Sequence, residues 1–564
     1  MAVRQRRVRR IVARAKPAPQ RNQGDLKLLL AEIGQYLRQV RLFLHDPSGG
    51  SSEEDLRHKM AYIMTLSQVA RNHYFDLEKS HDLDENAHKL YHCLAAISTR
   101  LHRISELALN VVRQVGHLSE AAFLDEYELG EFFDVIDQGL SLIRPALEQR
   151  KFKLVVRICH VEERLDALYA DRFRRLIREM DEGQGRPGDR VTTLMVVHYL
   201  ERVGDLILEI GEELMHVILG DNLRFSQYQA LTAGLKASGH TSLAGFQSIW
   251  TGRSGCRICL VGCDEAEDGG EPLIFKHGPA AKLEKERENL EAWDKLWPGL
   301  APKLRAFVPS EGDGQAAMLL EYIRGETLRD MFINYQRFPK AKAELTGALE
   351  LMAELWRETR EEQEIKAGFA RQAEKRLGSV GALYSDIVNF EGAVGYLEIK
   401  PLAVLLDEAR RLERSVPAPF TVRVHGDFNL SNIMRDAITG HYRLIDLYRS
   451  RLSDYVQDMS VMILSILRLP MSGTASRDFL AGAANQTWLF GKNFASANND
   501  LTFEARMGFG LARSFLTSAR FEARRSVATR FLGYSRYIWT KLIEYGQTDR
   551  PWTDFKLDKR ILYV

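Results

Sequence analysis

Apolar residues recur at three- and four-residue spacing from Asp25 to about Leu219, and then that rhythm stops. The runs are Leu26–Leu44, Met60–Leu77, Leu90–Val115, Phe132–Leu147, Leu154–Met180 and Val191–Leu219. Such spacing puts the apolar residues of a run on one helix face. Breakers lie between runs, at Pro47-Ser48-Gly49-Gly50 and from Gly183 through Pro187-Gly188. Six such faces, with few alternating β-branched stretches, specify an all-α bundle. Between Asp221 and Gly239 the pattern gives way to glycines (Gly234, Gly239, Gly245, Gly252, Gly255) and short apolar stretches. Gln247–Trp250 and Cys256–Val261 there read as strands around turns. At 564 residues the chain exceeds one ordinary core, and the change of period marks where it divides.

Composition excludes several classes. With 78 basic and 76 acidic side chains there is no global field for nucleic acid. No apolar run reaches the roughly 18 residues of a membrane span. Five cysteines in so long a chain are no disulfide framework, which points to a reducing, cytoplasmic setting. Cys256, Cys259 and Cys263 invite a metal assignment, but residues three apart on a strand face opposite ways, so these are expected to be buried thiols. Residues 1–22 form a basic arm (Arg4, Arg6, Arg7, Arg9, Arg10, Arg14, Lys16) without the apolar core of a secretion signal, expected to be a solvated, disordered tail.

Two helices of the first half look alike. Leu101-His102-Arg103-Ile104-Ser105-Glu106-Leu107 lies over Leu200-Glu201-Arg202-Val203-Gly204-Asp205-Leu206, offset by 99 positions. Each copy closes a group of three helices, as in a duplicated three-helix unit. The stretch from Tyr199 to Asp205 resembles the signature of PhoU, the bacterial phosphate-uptake regulator. The resemblance implies a six-helix bundle over residues 23–225 and a partner protein for it. It also implies a metal role for Glu201 and Asp205, whose i, i+4 spacing projects both carboxylates together. The same two acids are equally placed to pair with Arg202 or Arg103, and the first copy has His102 and Glu106 instead.

The second half carries chemistry in Val424-His425-Gly426-Asp427-Phe428-Asn429-Leu430-Ser431-Asn432-Ile433-Met434 and in Leu444-Ile445-Asp446-Leu447. Phosphoryl transfer from ATP needs a carboxylate to take the proton of the attacking hydroxyl. It also needs an amide oxygen and a second carboxylate to hold magnesium. Asp, then Asn five residues on, then Asp after the next strand is the order of kinase catalytic loops. A strand-turn-strand in which Asp427 and Asn432 cap the turn is the plainer alternative. The segment resembles the catalytic loop of the aminoglycoside phosphotransferase and choline kinase superfamily. That resemblance implies Asp427 as catalytic base and Asn432 and Asp446 as metal ligands. Asn429 and Leu430-Ser431 stand where the family more often has a histidine and a Pro-Gly-like turn.

Other elements fall in the order such a domain requires. Ser238–Gly245 is a candidate nucleotide-covering loop. Pro272-Leu273-Ile274-Phe275-Lys276 ends an apolar strand in a lysine for the α/β-phosphates. Its expected partner is Glu286 on the helix Lys282–Leu296, with Glu288 as the alternative. Met318–Leu328 resembles the hinge between lobes, whose backbone near Glu321 and Ile323 would bind adenine, with Thr327 capping the next helix. Lys340–Arg414 is a helical insertion that could carry part of an acceptor pocket. Asp458 either organises the catalytic loop by hydrogen bonding or caps the helix it begins.

The expected fold is therefore a six-helix PhoU-like bundle followed by an α+β protein-kinase-like, aminoglycoside-phosphotransferase-type bilobal domain, with an N-lobe and hinge over 235–330 and a helical C-lobe over 331–560. The expected activity is ATP- and magnesium-dependent transfer to a small-molecule hydroxyl, with phosphate-linked regulation. The alternative is a non-catalytic nucleotide-binding sensor of phosphate homeostasis.

Overall fold

The computed structural model describes residues 24–47, 51–79, 83–219, 223–240, 245–251, 255–262, 271–309, 314–334, 338–394, 397–471 and 473–563. The basic arm, Cys263 and residues 241–244 of the candidate covering loop lie outside them. The chain divides into two compact units, Met1–His277 and Gly278–Val564.

In the first unit the six apolar runs become α1 (Gly24–His45), α2 (Glu53–Glu78), α3 (Glu85–Val115), α4 (Gly130–Gln149), α5 (Phe152–Asp181) and α6 (Pro187–Leu219). α2 and α3 start ahead of their apolar runs because polar caps start them. Ser52 accepts from the Asp55 amide while Asp55 accepts from the Ser52 amide, and Asp84 accepts from the Ala87 amide. Ile33, Ile97, Leu101, Ile158, Leu165 and Ile207 are buried from four of these helices. Gly204, inside the PhoU-like motif, lets α6 approach α5: a Cβ there would stand 3.0 Å from Leu165 Cδ1 and 3.3 Å from Glu162 Cα. Arg100 on α3 bridges to Glu209 (2.8 Å) and Glu213 (3.1 Å) on α6, joining the two look-alike helices. After α7 (Phe225–Ala237) come three antiparallel strands, β1 (Gly245–Thr251), β2 (Arg257–Gly262) and β3 (Leu273–Pro279). Cys256 and Cys259 are buried thiols, as expected.

The second unit opens with α8 (Ala280–Leu296) and the antiparallel hairpin β4 (Leu304–Val308) and β5 (Gln315–Glu321). Then follow β6 (Gly325–Thr327) and α9 (Leu328–Ile333), which Thr327 caps by accepting from the Asp330 amide at 3.1 Å. The insertion is α10 (Phe338–Glu358), α11 (Phe369–Val388), a short hairpin of β7 (Gly392–Val394) with β8 (Leu397–Ile399), and α12 (Leu402–Glu413). The region around Asp427 is built from β9 (Val422–Val424), β10 (Ile433–Asp436), β11 (Tyr442–Leu444) and β12 (Arg451–Ser453). β10 pairs with β11 and β6, and β12 pairs with β9. Four helices complete the unit: α13 (Val456–Leu467), α14 (Thr474–Ala497), α15 (Phe503–Ala519) and α16 (Arg525–Gly546). Most of α13 and α15 is buried, so they form the centre of this helical layer. Among the described residues no helix is long and apolar enough to cross a membrane.

Candidate active site

β9 ends at Val424 and β10 begins at Ile433, so residues 425–432 are a loop with both ends held in ladders. Its tight entry depends on Gly426. That residue has φ +81°, and a Cβ there would lie 2.3 Å from the Arg449 carbonyl oxygen. Asp458 grips the same point. Its two carboxylate oxygens accept the His425 and Gly426 amides, each at 2.8 Å. Asp458 lies within the first turn of α13, whose N-cap is Tyr455, so of its two expected roles the structure has the loop-organising one. Full burial pushes its carboxyl up to about 7, against the pull of the two amide bonds.

His425 is a strut between the two aspartates. Its Nδ1 accepts from the Asp427 amide (3.2 Å) and its Nε2 donates to the Ile445 carbonyl (3.1 Å), one residue before Asp446. Burial lowers its pKa, with Asp427 and Asp446 pulling the other way, so the ring is neutral and keeps one tautomer. Asn432 closes the loop: its Nδ2 donates to the Asp427 carbonyl at 2.9 Å, and its own carbonyl accepts the Ile445 amide at 3.0 Å. Asp427, Asn432 and Asp446 are thus drawn together through His425 and the Ile445 peptide. Asn429, the departure from the commoner pattern, makes the turn itself, accepting from the Ser431 amide (2.9 Å) and donating to Asp427 Oδ1 (3.2 Å). Asp427 Oδ2 pairs with Arg449 at 3.2 Å. Asp446 sits at φ 64°, ψ 55°, a left-handed conformation that costs a non-glycine residue about 1 kcal/mol or more.

The loop after Asp446 is tied to α8. Asn289 Nδ2 donates to the Leu447 carbonyl (2.8 Å), and Trp293 Nε1 donates to Ser450 Oγ (2.7 Å), which donates to the Val424 carbonyl (2.8 Å). Glu286 is on α8, 1 % exposed; Glu288, more open, pairs with Lys285 at 2.9 Å. Lys276 lies on β3 in the first unit, 3 % exposed. At the expected hinge the Glu321 carboxylate is committed to structure: Arg443 reaches it at 2.8 and 3.2 Å and the Lys303 amide at 3.0 Å. Burial opposes its charge, but these partners outweigh that and lower its pKa. The Glu321 amide donates to the Lys303 carbonyl at 2.9 Å, and Ile323 is buried.

In the first unit, Glu201 pairs with His198 (3.3 Å) and Asp205 with Arg202 (2.7 Å). Two acids that sequence reasoning missed, Glu162 and Asp166, face them from α5. Burial, then Asp166, Asp205, Glu163 and Glu201, pushes Glu162 up to about 7. Among the described residues no group of three or more His, Cys, Asp or Glu is gathered closely enough to hold a metal ion.

Two family models match the chain. Residues 265–494 match the phosphotransferase enzyme family, and residues 129–214 match the PhoU domain. The chain joins a PhoU-like domain to an aminoglycoside-phosphotransferase-like domain. All of Lys276, Glu286, Asp427, Asn432 and Asp446 fall within the phosphotransferase-like match, and Glu201 and Asp205 within the PhoU-like one. A curated relative, the phosphate-specific transport system accessory protein PhoU homolog of Clostridium acetobutylicum, is 24 % identical over 127 residues, which is 22 % of this chain and 57 % of the relative. The match therefore spans little more than half of that relative's length. Among solved structures, an aminoglycoside-3'-phosphotransferase of type VIII is 17 % identical, covering 56 % of this chain and 98 % of its own, at a TM-score of 0.32. Aminoglycoside phosphotransferase APH(3'')-Id from Streptomyces rimosus is 19 % identical with the same coverage, at 0.30. A Plasmodium vivax ethanolamine kinase is 12 % identical, covering 59 % of this chain and 88 % of its own, at 0.34.

Proposed function

We propose that the chain is a cytoplasmic kinase that transfers the γ-phosphoryl group of ATP to a hydroxyl of a small molecule. The observation that carries this is the bracing of Asp427, Asn432 and Asp446 through one buried histidine and one peptide. Asp427 accepts the hydroxyl proton. The hydroxyl oxygen bonds to the γ-phosphorus as the bond to the bridging oxygen breaks, and ADP leaves with that electron pair. The Asn432 Nδ2 bond leaves Oδ1 without a donor among the described residues. That oxygen and the Asp446 carboxylate are the hard ligands magnesium prefers. Magnesium, when bound, screens the phosphate charge. Lys276, with Glu286, is assigned to the phosphates, and the Glu321–Ile323 backbone to adenine, on the sequence pattern. Domain limits of 23–225 and 235–560 belong to the same proposal.

The PhoU-like domain would report phosphate status, or a partner protein, to the kinase. Turnover of ATP across phosphate and divalent-metal concentrations, with and without residues 1–225, tests this; identical behaviour removes the regulatory role. The sensor alternative is separated by Asp427→Asn, which abolishes transfer in an enzyme but leaves magnesium-dependent nucleotide binding intact, whereas Asp446→Asn weakens that binding. Equal turnover by Asp427→Asn and the parent protein would reject the kinase.

A further inference from the structure

The surroundings of Asp427 also bear on what its acceptor carries; this rests on the kinase proposal. Arginines from separate elements lie within one another's field around Asp427: Arg449 on the turn after Asp446 and Arg451 on β12 act with Asp427 on Arg513 of α15, and Arg449 and Arg376 of α11 act on Arg520 at the end of α15. Among the described residues Arg449 forms its ion pair with Asp427, while Arg376, Arg451, Arg513 and Arg520 form none. Arg513 is only 7 % exposed. One of its terminal nitrogens donates to Ser460 Oγ at 3.2 Å, its guanidinium lies 5.4 Å from the Phe369 ring centre, and its buried Nε has no partner. Arg520 stands 4.3 Å over Phe521, and its buried Nε is also without a partner.

Apart from Asp427 and Asp446, which face Arg449, the nearby acids are committed elsewhere. Glu413 accepts the Phe369 and Ala370 amides, Asp458 the two loop amides, and Asp454 and Asp500 both face Arg506. The arginines consequently repel one another. Burial, then Arg449, lowers Arg513 to about 10, with Asp427 opposing; burial, then Arg376 and Arg449, lowers Arg520. Arg513 is also wired to the loop: Ser460 Oγ donates to the Gln457 carbonyl (3.1 Å), and Gln457 Nε2 donates to the Gly426 carbonyl (3.2 Å). Guanidinium groups held near a reacting carboxylate without counter-ions are costly to the fold and suited to a forked anion.

We propose that the acceptor is an anionic hydroxy compound, bearing a phosphate or carboxylate group that Arg513 and Arg520 bind, with Arg449 shared between that group and Asp427. Cationic amino-sugars and amino-alcohols are disfavoured by the same field.

The test uses the full chain. Calorimetric binding without nucleotide, and ATP consumption with magnesium, are measured for glucose 6-phosphate, ribose 5-phosphate, gluconate, inorganic phosphate, glucose, choline and kanamycin. The phosphates and gluconate separate a phosphate site from a carboxylate site. The expected result is binding and turnover confined to anions. Arg513→Gln and Arg520→Gln should each raise the acceptor KM about tenfold or more, the scale of one charge-assisted hydrogen bond, with the KM for ATP unchanged. Arg513→Lys, which keeps the charge and loses the fork, guards against a folding defect and should fall between. Equal kcat/KM for neutral or cationic acceptors, or unaltered acceptor KM in both glutamine variants, overturns the inference, as does absence of anion binding. Anion binding that the variants weaken, with no compound phosphorylated, upholds the anion site and rejects the kinase reading alone.

Discussion

Asp458→Asn isolates the clamp that shapes the 425–432 loop. The parent carboxylate accepts two backbone N–H groups at 2.8 Å while fully buried. An asparagine has one acceptor oxygen there and turns its NH₂ toward the other amide. Stranding one buried donor costs about 1–3 kcal/mol, a factor of roughly 5 to 150 in local opening. The sign with pH follows from the raised carboxyl. Between 3.8 and about 7 the folded state keeps a proton that the unfolded chain has released, so this contribution to stability is lost as pH rises through about 7. Below about pH 7 the folded parent holds a protonated carboxyl, whose O–H can turn away from the amides as the NH₂ of asparagine cannot; above it the parent loses stability while the variant, which does not titrate, keeps its own. The assay is amide exchange of the peptide covering residues 422–434, variant against parent at the same pH. The loss of protection should be largest at pH 5.5 and shrink toward pH 8. Equal protection at pH 5.5, or a gap that widens as pH rises to 8, would refute the clamp.

Three further outcomes follow from the packing. Gly426→Ala, at φ +81° and with the Arg449 carbonyl 2.3 Å from the new Cβ, should displace Asp427 and lower ATP turnover about 100-fold, with far-ultraviolet circular dichroism unchanged. Arg506→Met leaves Asp454 and Asp500 buried without their cation and should cost about 3–5 kcal/mol, seen as a lowered calorimetric transition. Glu162, raised from 4.5 to about 7, makes the parent protein lose stability as pH climbs through that range; Glu162→Gln should flatten the dependence of the thermal midpoint between pH 5 and 8.

How much of this was legible in the chain depends on sequence distance. The six helices of the first unit were readable because each buries one face and repeats its period many times. Asp427, Asn432 and Asp446 were readable because one loop and the following hairpin hold all three. The partners that brace them were not. Asn289 and Trp293 reach the loop after Asp446 across more than 150 positions, and Ser460 meets Arg513 across 53. Arg513 is not legible as a site residue because nothing local says that α15 is buried. Glu162 and Asp166 were missed for a similar reason. Their spacing repeats that of Glu201 and Asp205, but only the crossing at Gly204 turns the two pairs toward each other. Asp458 admits two equal readings from sequence alone, and Tyr455 at the helix cap decides between them.

The central claim is that Asp427 serves phosphoryl transfer to a small molecule. The most direct measurement is transfer of label from [γ-³²P]ATP, with magnesium, into a protein-free pool of small metabolites, for the parent protein and Asp427→Asn. Label entering a small-molecule fraction with the parent protein and lost with the variant is the predicted result; label released only as inorganic phosphate, or transfer that survives Asp427→Asn, would contradict it.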